Sequence, residues 1–136
     1  MAITFTVHGD PVPQPRPRVS TRGGFARAYG PSRHPVHAYR DGIAITAKAA
    51  GATVTENAVR VTVCATFARP KSHCNKSGVK ATAPLLPRED VDNVAKAVLD
   101  ALTGVAWHDD KQVASLQIVK RYGTAGATEV TIAKFS

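Results

Sequence analysis

The stretch PREDVDNVAKAVLDALTGVAWHDDKQ, residues 87–112, contains the clearest helical pattern of the chain. Five apolar residues recur there at helical spacing and predict one continuous apolar stripe: Val94, Ala97, Val98, Ala101 and Leu102. Asp90 or Asp92 is expected to cap the start of this helix, and Gly104 is expected to end it. The stretch therefore predicts an amphipathic helix with an apolar face and a polar face.

Patterns on either side of this helix predict the rest of the fold. Four segments alternate or are rich in β-branched residues, which predicts strands over residues 3–9, 58–70, 111–122 and 127–135. A further helix is expected over about 36–50, and the last two strands are expected to form a hairpin through 123–126. The order β-α-β-α-β-β predicts one small α+β (mixed α/β) domain over residues 1–136, with a sheet of about four strands packed against two helices.

Length and composition favour a single domain with an anionic partner. The chain has 136 residues, of which 43% are hydrophobic, and no apolar run approaches the ~18 residues of a membrane span. Its start lacks the pattern of a signal peptide, which predicts a cytoplasmic protein with no membrane partner. Its two cysteines, Cys64 and Cys74, are too few for a disulfide framework and fit reduced thiols, and their separation disfavours a zinc site. The net charge of +8 indicates a polyanion, most simply nucleic acid.

Many basic residues lie in segments that contain no Asp or Glu. Prolines at 11, 13, 15 and 17 hold an extended segment, and the region from Pro11 to Pro35 contains no acid. Residues of this region, of a second basic loop after residue 70 and of the strand end near residue 120 are expected to contact phosphates: Arg16, Arg18, Arg22, Arg27, Lys71, Lys76, Lys120 and Arg121. The structural alternatives are a solvated loop and, for the last two, protection of an edge strand.

Most acidic residues, by contrast, lie in one segment of the chain. Six of the ten Asp and Glu residues lie between Glu89 and Asp110, where Lys96 is the one basic residue. Asp92, Lys96 and Asp100 share the polar helix face by their i, i+4, i+8 spacing. Asp110 would join Asp90 and Asp92 if the strand that it enters ran beside the loop that contains Asp90.

Such a cluster is costly without a cation, because close carboxylates repel one another. Mg²⁺ prefers oxygen ligands and often combines one or two carboxylates with water and phosphate. In a basic protein the pattern therefore predicts a metal site for phosphodiester chemistry, with Lys96 on the scissile phosphate. The alternative is structural: Asp90 or Asp92 as a helix cap, Lys96 and Asp100 as a surface pair, and Asp109–Asp110 as a turn.

The segments DVDNVAKAVLDALTG, WHDDKQV and KRY resemble the RusA family of Holliday junction resolvases, small endonucleases of bacteria and their phages. PVPQPRPR, HAYRD and ARPKS extend the resemblance over nearly the whole chain. It implies a homodimer in the bacterial cytoplasm that binds four-way DNA junctions and nicks two strands symmetrically with Mg²⁺, for which Mn²⁺ can substitute.

By position, the resemblance assigns the catalytic carboxylates to Asp90, Asp92 and Asp110 and the catalytic lysine to Lys96, with Asp100 and Asp109 in supporting roles. Glu89 departs from the family pattern and adds a nearby carboxylate, which leaves the ligand count open.

Two other functions stay open at this point: a nuclease for flaps, forks or other branched DNA, and a nucleic-acid-binding module without catalysis. The acid cluster favours catalysis over the module, since binding alone does not need it. No Gly-rich nucleotide loop is present, so a nucleotide cofactor is not expected.

Overall fold

The computed structural model describes residues 2–15, 18–20, 27–29 and 34–136, and side chains in 2–15 and 34–136. Its main sheet has four strands in the order β1-β8-β4-β7. In chain order the elements are β1 (Ala2–His8), β2 (Arg18–Ser20), β3 (Arg27–Tyr29), α1 (Val36–Ala49), β4 (Val59–Ala68), β5 (Cys74–Asn75), β6 (Gly78–Val79), α2 (Val91–Leu102), β7 (Val113–Gly123) and β8 (Ala127–Lys134). The predicted α+β fold is confirmed, and two short ribbons, β2-β3 and β5-β6, are added to it. No helix among these residues is long and apolar enough to cross a membrane.

Strand β4 lies inside the sheet, with one of its faces buried. Val59, Val61 and Val63 are buried on one face, and the residues between them point to the other face. On one side β4 pairs in parallel with β7, and on the other it pairs antiparallel with β8. Helix α2 lies between β4 and β7 in the chain and supplies the crossover that a parallel pair requires.

The predicted hairpin of the last two strands is wrong. Strands β7 and β8 are consecutive, but β4 lies between them. Residues 124–126 cross the end of β4 instead of making a two-strand turn, and a Cβ atom on Gly126 would lie 2.5 Å from the backbone nitrogen of Asp10. Gly123 and Gly126 correctly predict that the chain reverses here. They do not predict that β8 pairs with β4 and not with β7.

The core lies between one face of the sheet and the two helices. The whole predicted stripe of α2 is buried, and Ile43 and Ala47 of α1 have no exposed surface. A fully buried Val or Leu side chain stabilises the folded state by about 1.5–3 kcal/mol. Burial of this stripe therefore holds α2 against the sheet. Tyr39 donates to or accepts from the hydroxyl of Thr128 at 2.6 Å, and burial raises the pKa of Tyr39 to about 12. Trp107 is buried as well, as a core anchor.

Candidate active site

The amino-terminal end of α2 presents two open carboxylates. Asp90 occupies the N-cap position in extended conformation, but its side chain makes no capping hydrogen bond. The side chain of Asn93 donates to it from 3.5 Å, which is a weak contact. Asp92 follows in the first turn, and both aspartates are exposed. Asp90 thus occupies the predicted N-cap position, but its carboxylate makes no capping hydrogen bond and is left available for another ligand.

The polar face of α2 continues from these carboxylates. Lys96 is exposed one turn after Asp92, and Asp100 is half-buried a further turn along. The carboxylate of Asp100 lies 3.8 Å from the guanidinium of Arg40 on α1. Within the described part of the chain Lys96 makes no salt bridge with either aspartate. The ammonium of Lys96 thus lies on the same face as Asp92, without a carboxylate partner on that face.

At the other end of α2 the two remaining aspartates are both engaged. Asp109 caps the short 3-10 helix Asp110–Gln112: its side chain accepts from the backbone N–H of Lys111 at 2.9 Å, and Gln112 completes a capping box. One oxygen of Asp110 accepts from the hydroxyl of Thr103 at 2.6 Å and, more weakly, from the indole N–H of Trp107 at 3.4 Å. These contacts hold Asp110 against the carboxyl end of α2.

One chain does not bring Asp110 to Asp90 and Asp92. Helix α2 has 12 residues, which makes it about 18 Å long. The start of β7 lies at the carboxyl end of this helix, while the far end of β7 lies at the loop before Asp90, where the ammonium of Lys120 donates to the carbonyl of Glu89 at 2.9 Å. Strand β7 does run beside that loop, but in the direction that separates the carboxylates. Among the described residues no three metal-ligand side chains lie together.

The donor set nevertheless suits a hard divalent cation at the amino-terminal end. Two solvent-facing carboxylates, with water and substrate phosphate in the other positions, match the coordination that Mg²⁺ commonly takes. Asp90 and Asp92 provide such a pair. Both lie at the positive end of the helix dipole.

A cavity of about 420 Å³ adjoins this end of α2. Glu89 and Arg88 line it together with Asp10, His73 and Tyr122. Glu89 is half-buried here. Asp10 comes from the end of β1, and its carboxylate accepts from the backbone N–H of Ala68 at 2.9 Å. Sequence analysis did not single out Asp10, because it precedes the proline-rich segment and has no acidic neighbour in the chain.

The proline-rich segment meets α2 at the same end. The backbone N–H of Gln14 donates to the carbonyl of Asn93 at 2.8 Å, and Arg40 donates to the side chain of Gln14 at 3.2 Å. Sequence analysis did not single out Arg40, which joins this segment to α1 and Asp100. The segment that leads to the predicted DNA-binding arginines therefore begins beside the first turn of α2.

The predicted phosphate-binding residues divide into three groups. Arg16 and Arg22 lie outside the described residues, and Arg18 and Arg27 lie in the ribbon β2-β3, whose side chains are not described. Lys71 and Lys76 are exposed on the loop that carries β5 and β6. Lys120 is tied to Glu89, and Arg121 donates to the hydroxyl of Thr66 at 3.1 Å.

The loop that carries Lys71 and Lys76 is fixed at its base. Arg69 donates to the carbonyl of Pro84 at 2.9 Å, and its guanidinium lies 4.3 Å from the centre of the Tyr122 ring. The two lysines are therefore displayed on an ordered support beside the cavity.

The chain is similar to known proteins over nearly its whole length. A family model described as "Endodeoxyribonuclease RusA" matches residues 8–133. The chain is also similar to the Bacillus subtilis (strain 168) protein "Uncharacterized protein YqaN", with 35% identity over 140 residues that cover 98% of this chain and 97% of the relative. The family match includes both ends of α2 and the basic segments. The chain therefore belongs to the RusA endodeoxyribonuclease family.

Proposed function

We propose that the protein is a Mg²⁺-dependent, structure-selective endodeoxyribonuclease that resolves four-way DNA junctions by paired symmetric nicks, in recombination and repair. The observation that carries this proposal is the pair of open carboxylates, Asp90 and Asp92, at the positive end of a helix in a chain of net charge +8. A binding module has no use for acid beside a basic surface that must approach phosphates. A metal-dependent phosphodiesterase uses such carboxylates to hold its cation.

The roles of the residues follow from their positions. Asp90 and Asp92 would hold the metal ion, which when bound supplies an activated water and neutralises charge on the phosphate. Lys96, on the same helix face, would hold the scissile phosphate and stabilise its developing charge. Asp100 supports this face through Arg40, which also fixes Gln14. Asp109 supports the turn that positions Asp110.

We assign the third carboxylate, Asp110, to a site shared between two chains. About 18 Å of helix separates it from Asp90 in one chain, so it can complete the site of Asp90 and Asp92 only when a second copy supplies it. A two-fold homodimer would form two such sites, one for each of two opposed DNA strands.

The first test compares cleavage of labelled four-way junction, flap and linear duplex, with Mg²⁺, with Mn²⁺ and with EDTA. We expect metal-dependent cutting of the junction in preference to the other two substrates. Preference for the flap would favour a nuclease for other branched DNA. Binding without cutting under any metal condition would favour the non-catalytic module.

The shared site has its own test, which mixes two inactive variants. In a heterodimer of Asp90→Asn and Asp110→Asn, one site has both changes and the other has neither, so we expect one nick per junction where each variant alone gives none. If the two aspartates acted within one chain, the mixture would stay inactive. Subunit exchange is checked with a tag on one variant.

A further inference from the structure

The cavity beside the amino-terminal end of α2 takes no part in the proposed metal chemistry. Its inner wall is apolar, because the buried ring of Phe67 and the half-buried ring of Tyr122 pack together with Val94 of α2. Pro84 and Leu86, which are both exposed, line it nearer the solvent. Its volume of about 420 Å³ lies in the range of pockets that bind small organic molecules. The cavity can therefore accommodate one flat organic ring.

The aromatic side chains of this cavity are held in place by their neighbours. The guanidinium of Arg69 lies 4.3 Å from the centre of the Tyr122 ring, and the ring of His73 meets Tyr122 edge-on, with 5.5 Å between the ring centres. Arg69 is fixed in turn, since it donates to the carbonyl of Pro84 at 2.9 Å. Rings that are already ordered lose little conformational freedom when a planar ligand stacks on them.

The charged residues of the lining disfavour an anion. Asp10 and Glu89 both line the cavity, and an ionised carboxylate accepts hydrogen bonds but donates none. One oxygen of Asp10 accepts from the backbone N–H of Ala68 at 2.9 Å, and no hydrogen bond among the described residues uses its other oxygen. A phosphate in this cavity would meet two carboxylates and one guanidinium, that of Arg88. A neutral ring with N–H donors fits the lining better.

The place of the cavity connects it with a DNA strand bound for cleavage. Glu89 directly precedes Asp90, and its carbonyl accepts from Lys120 at 2.9 Å. Lys120 and Tyr122 lie two residues apart on one face of β7, so the same strand fixes this loop and supplies the aromatic wall. A strand whose phosphate reaches Asp90 therefore passes the mouth of the cavity. The neutral planar groups of DNA are its bases.

We propose that this cavity binds one unpaired nucleobase of the strand to be cut, stacked on the ring of Tyr122. Asp10 and Glu89 then favour a base with an exocyclic amino group, which adenine, cytosine and guanine have, over thymine, whose carbonyl oxygens would face the carboxylates. A base leaves the stack at the lowest cost where pairing is already interrupted, as at a branch point. The pocket rests on the proposed function for the identity of that strand, and it favours branched over linear DNA.

The test measures binding in EDTA, where no cutting occurs, to a four-way junction and a flap with an abasic site at each position near the branch in turn. We expect one position per strand at which loss of the base weakens binding by the wild type at least about fivefold, the low end for one stacked base. Tyr122→Leu should bind intact DNA more weakly and should not respond to the abasic site. Phe135→Leu, at a 40% exposed ring beyond the end of β8, is the matched control and should respond like the wild type.

A second measurement does not depend on how Tyr122→Leu folds. Thymine at the responsive position should weaken binding by the wild type, and Glu89→Gln should reduce this difference, because a glutamine amide can donate to a carbonyl oxygen. Glu56→Gln, at an exposed glutamate outside the cavity, is the control and should leave the difference unchanged.

The outcomes separate the pocket from the nuclease. Absence of a responsive position on either DNA, or a response that Tyr122→Leu keeps in full, would overturn the pocket. Equal binding of thymine by the wild type would overturn the selection by the two carboxylates. Because neither measurement uses metal, cleavage of the junction with Mg²⁺ would still support the nuclease if the pocket failed. A responsive position without any cleavage would support the pocket and contradict the nuclease.

Discussion

Each end of α2 has two aspartates, but those at the amino-terminal end are open and those at the carboxyl end are hydrogen-bonded. At the amino-terminal end Asp90 occupies the cap position, yet accepts no backbone N–H, and Asp92 beside it is exposed. At the carboxyl end Asp109 completes a capping box, and Asp110 is fixed by Thr103 and Trp107. An aspartate beside a helix is therefore structural at one end of the same helix and available for chemistry at the other.

The difference shows which property separates a cap from a ligand. Sequence position alone assigns the cap role to Asp90 as readily as to Asp109, since both directly precede a helical turn. What separates them is whether the carboxylate oxygens already accept hydrogen bonds from backbone N–H groups. Asp110 is intermediate, because its donors hold one oxygen and orient the other, as supporting groups do around a metal ligand.

The largest effect is expected at the open end. Asp90→Asn or Asp92→Asn should lower the single-turnover cleavage rate by about 10²-fold or more, since a catalytic metal contributes several kcal/mol to the barrier. The thermal midpoint should stay within about a degree, because no capping bond is lost. Junction affinity should be kept or increase, as negative charge near the phosphates is removed. Wild-type cleavage by Asp90→Asn would make both ends of α2 structural.

A change at Lys96 tests whether the polar face of α2 takes part in cleavage together with Asp90 and Asp92. Lys96→Ala should lower the cleavage rate by about 10²-fold, the usual loss when one preorganised transition-state contact is removed. Mg²⁺ binding, followed by calorimetry, should be retained, because Lys96 is not a ligand. Lys48→Ala, at an exposed lysine on α1, is the matched control and should cut normally. Equal rates for the two variants would remove Lys96 from the site.

A change at Thr103 tests whether the hydrogen bond to Asp110 positions that carboxylate for cleavage. Its hydroxyl lies 2.6 Å from the carboxylate and 2.9 Å from the carbonyl of Leu99, and its one proton is expected to go to the shorter, charged acceptor. Thr103→Val should lower the cleavage rate by about tenfold, as loss of a supporting group around a ligand does. Thr103→Ser should restore the rate. Failure of serine to rescue would mean that the threonine acts only through packing.

Much of the fold could be predicted because local patterns and burial agree. The stripe of α2 and the alternation of β4 each point to one buried face, and the structure buries those faces. The pairing of β8 could not be predicted in the same way. The turn at 123–126 is compatible with a hairpin. Strand β8 pairs with β4 instead, because β7 is the parallel neighbour of β4 on its other side.

For the candidate site, the sequence could predict which residues share a helix face but not which carboxylates lie close together. The i, i+4 spacing placed Asp92 and Lys96 on one exposed face correctly. Whether Asp110 meets Asp90 depends on the direction of β7, which no local pattern encodes. The sequence also does not reveal that Lys120 is tied to the Glu89 carbonyl, since the partner is a backbone atom of a loop 31 positions away.

The smallest effect on cleavage is expected at Asp109, where the cap interpretation holds. Asp109→Ala removes the acceptor of the Lys111 N–H and half of the capping box, so it should lower the free energy of unfolding by about 1 kcal/mol. Asp109→Asn should cost a few tenths of that, because Asn is about as good a cap as Asp. Urea unfolding gives both values, and both variants should cut junctions within about threefold of the wild type. A large loss of cleavage in Asp109→Asn with unchanged stability would show that the charge of Asp109, and not its cap, is what the enzyme uses.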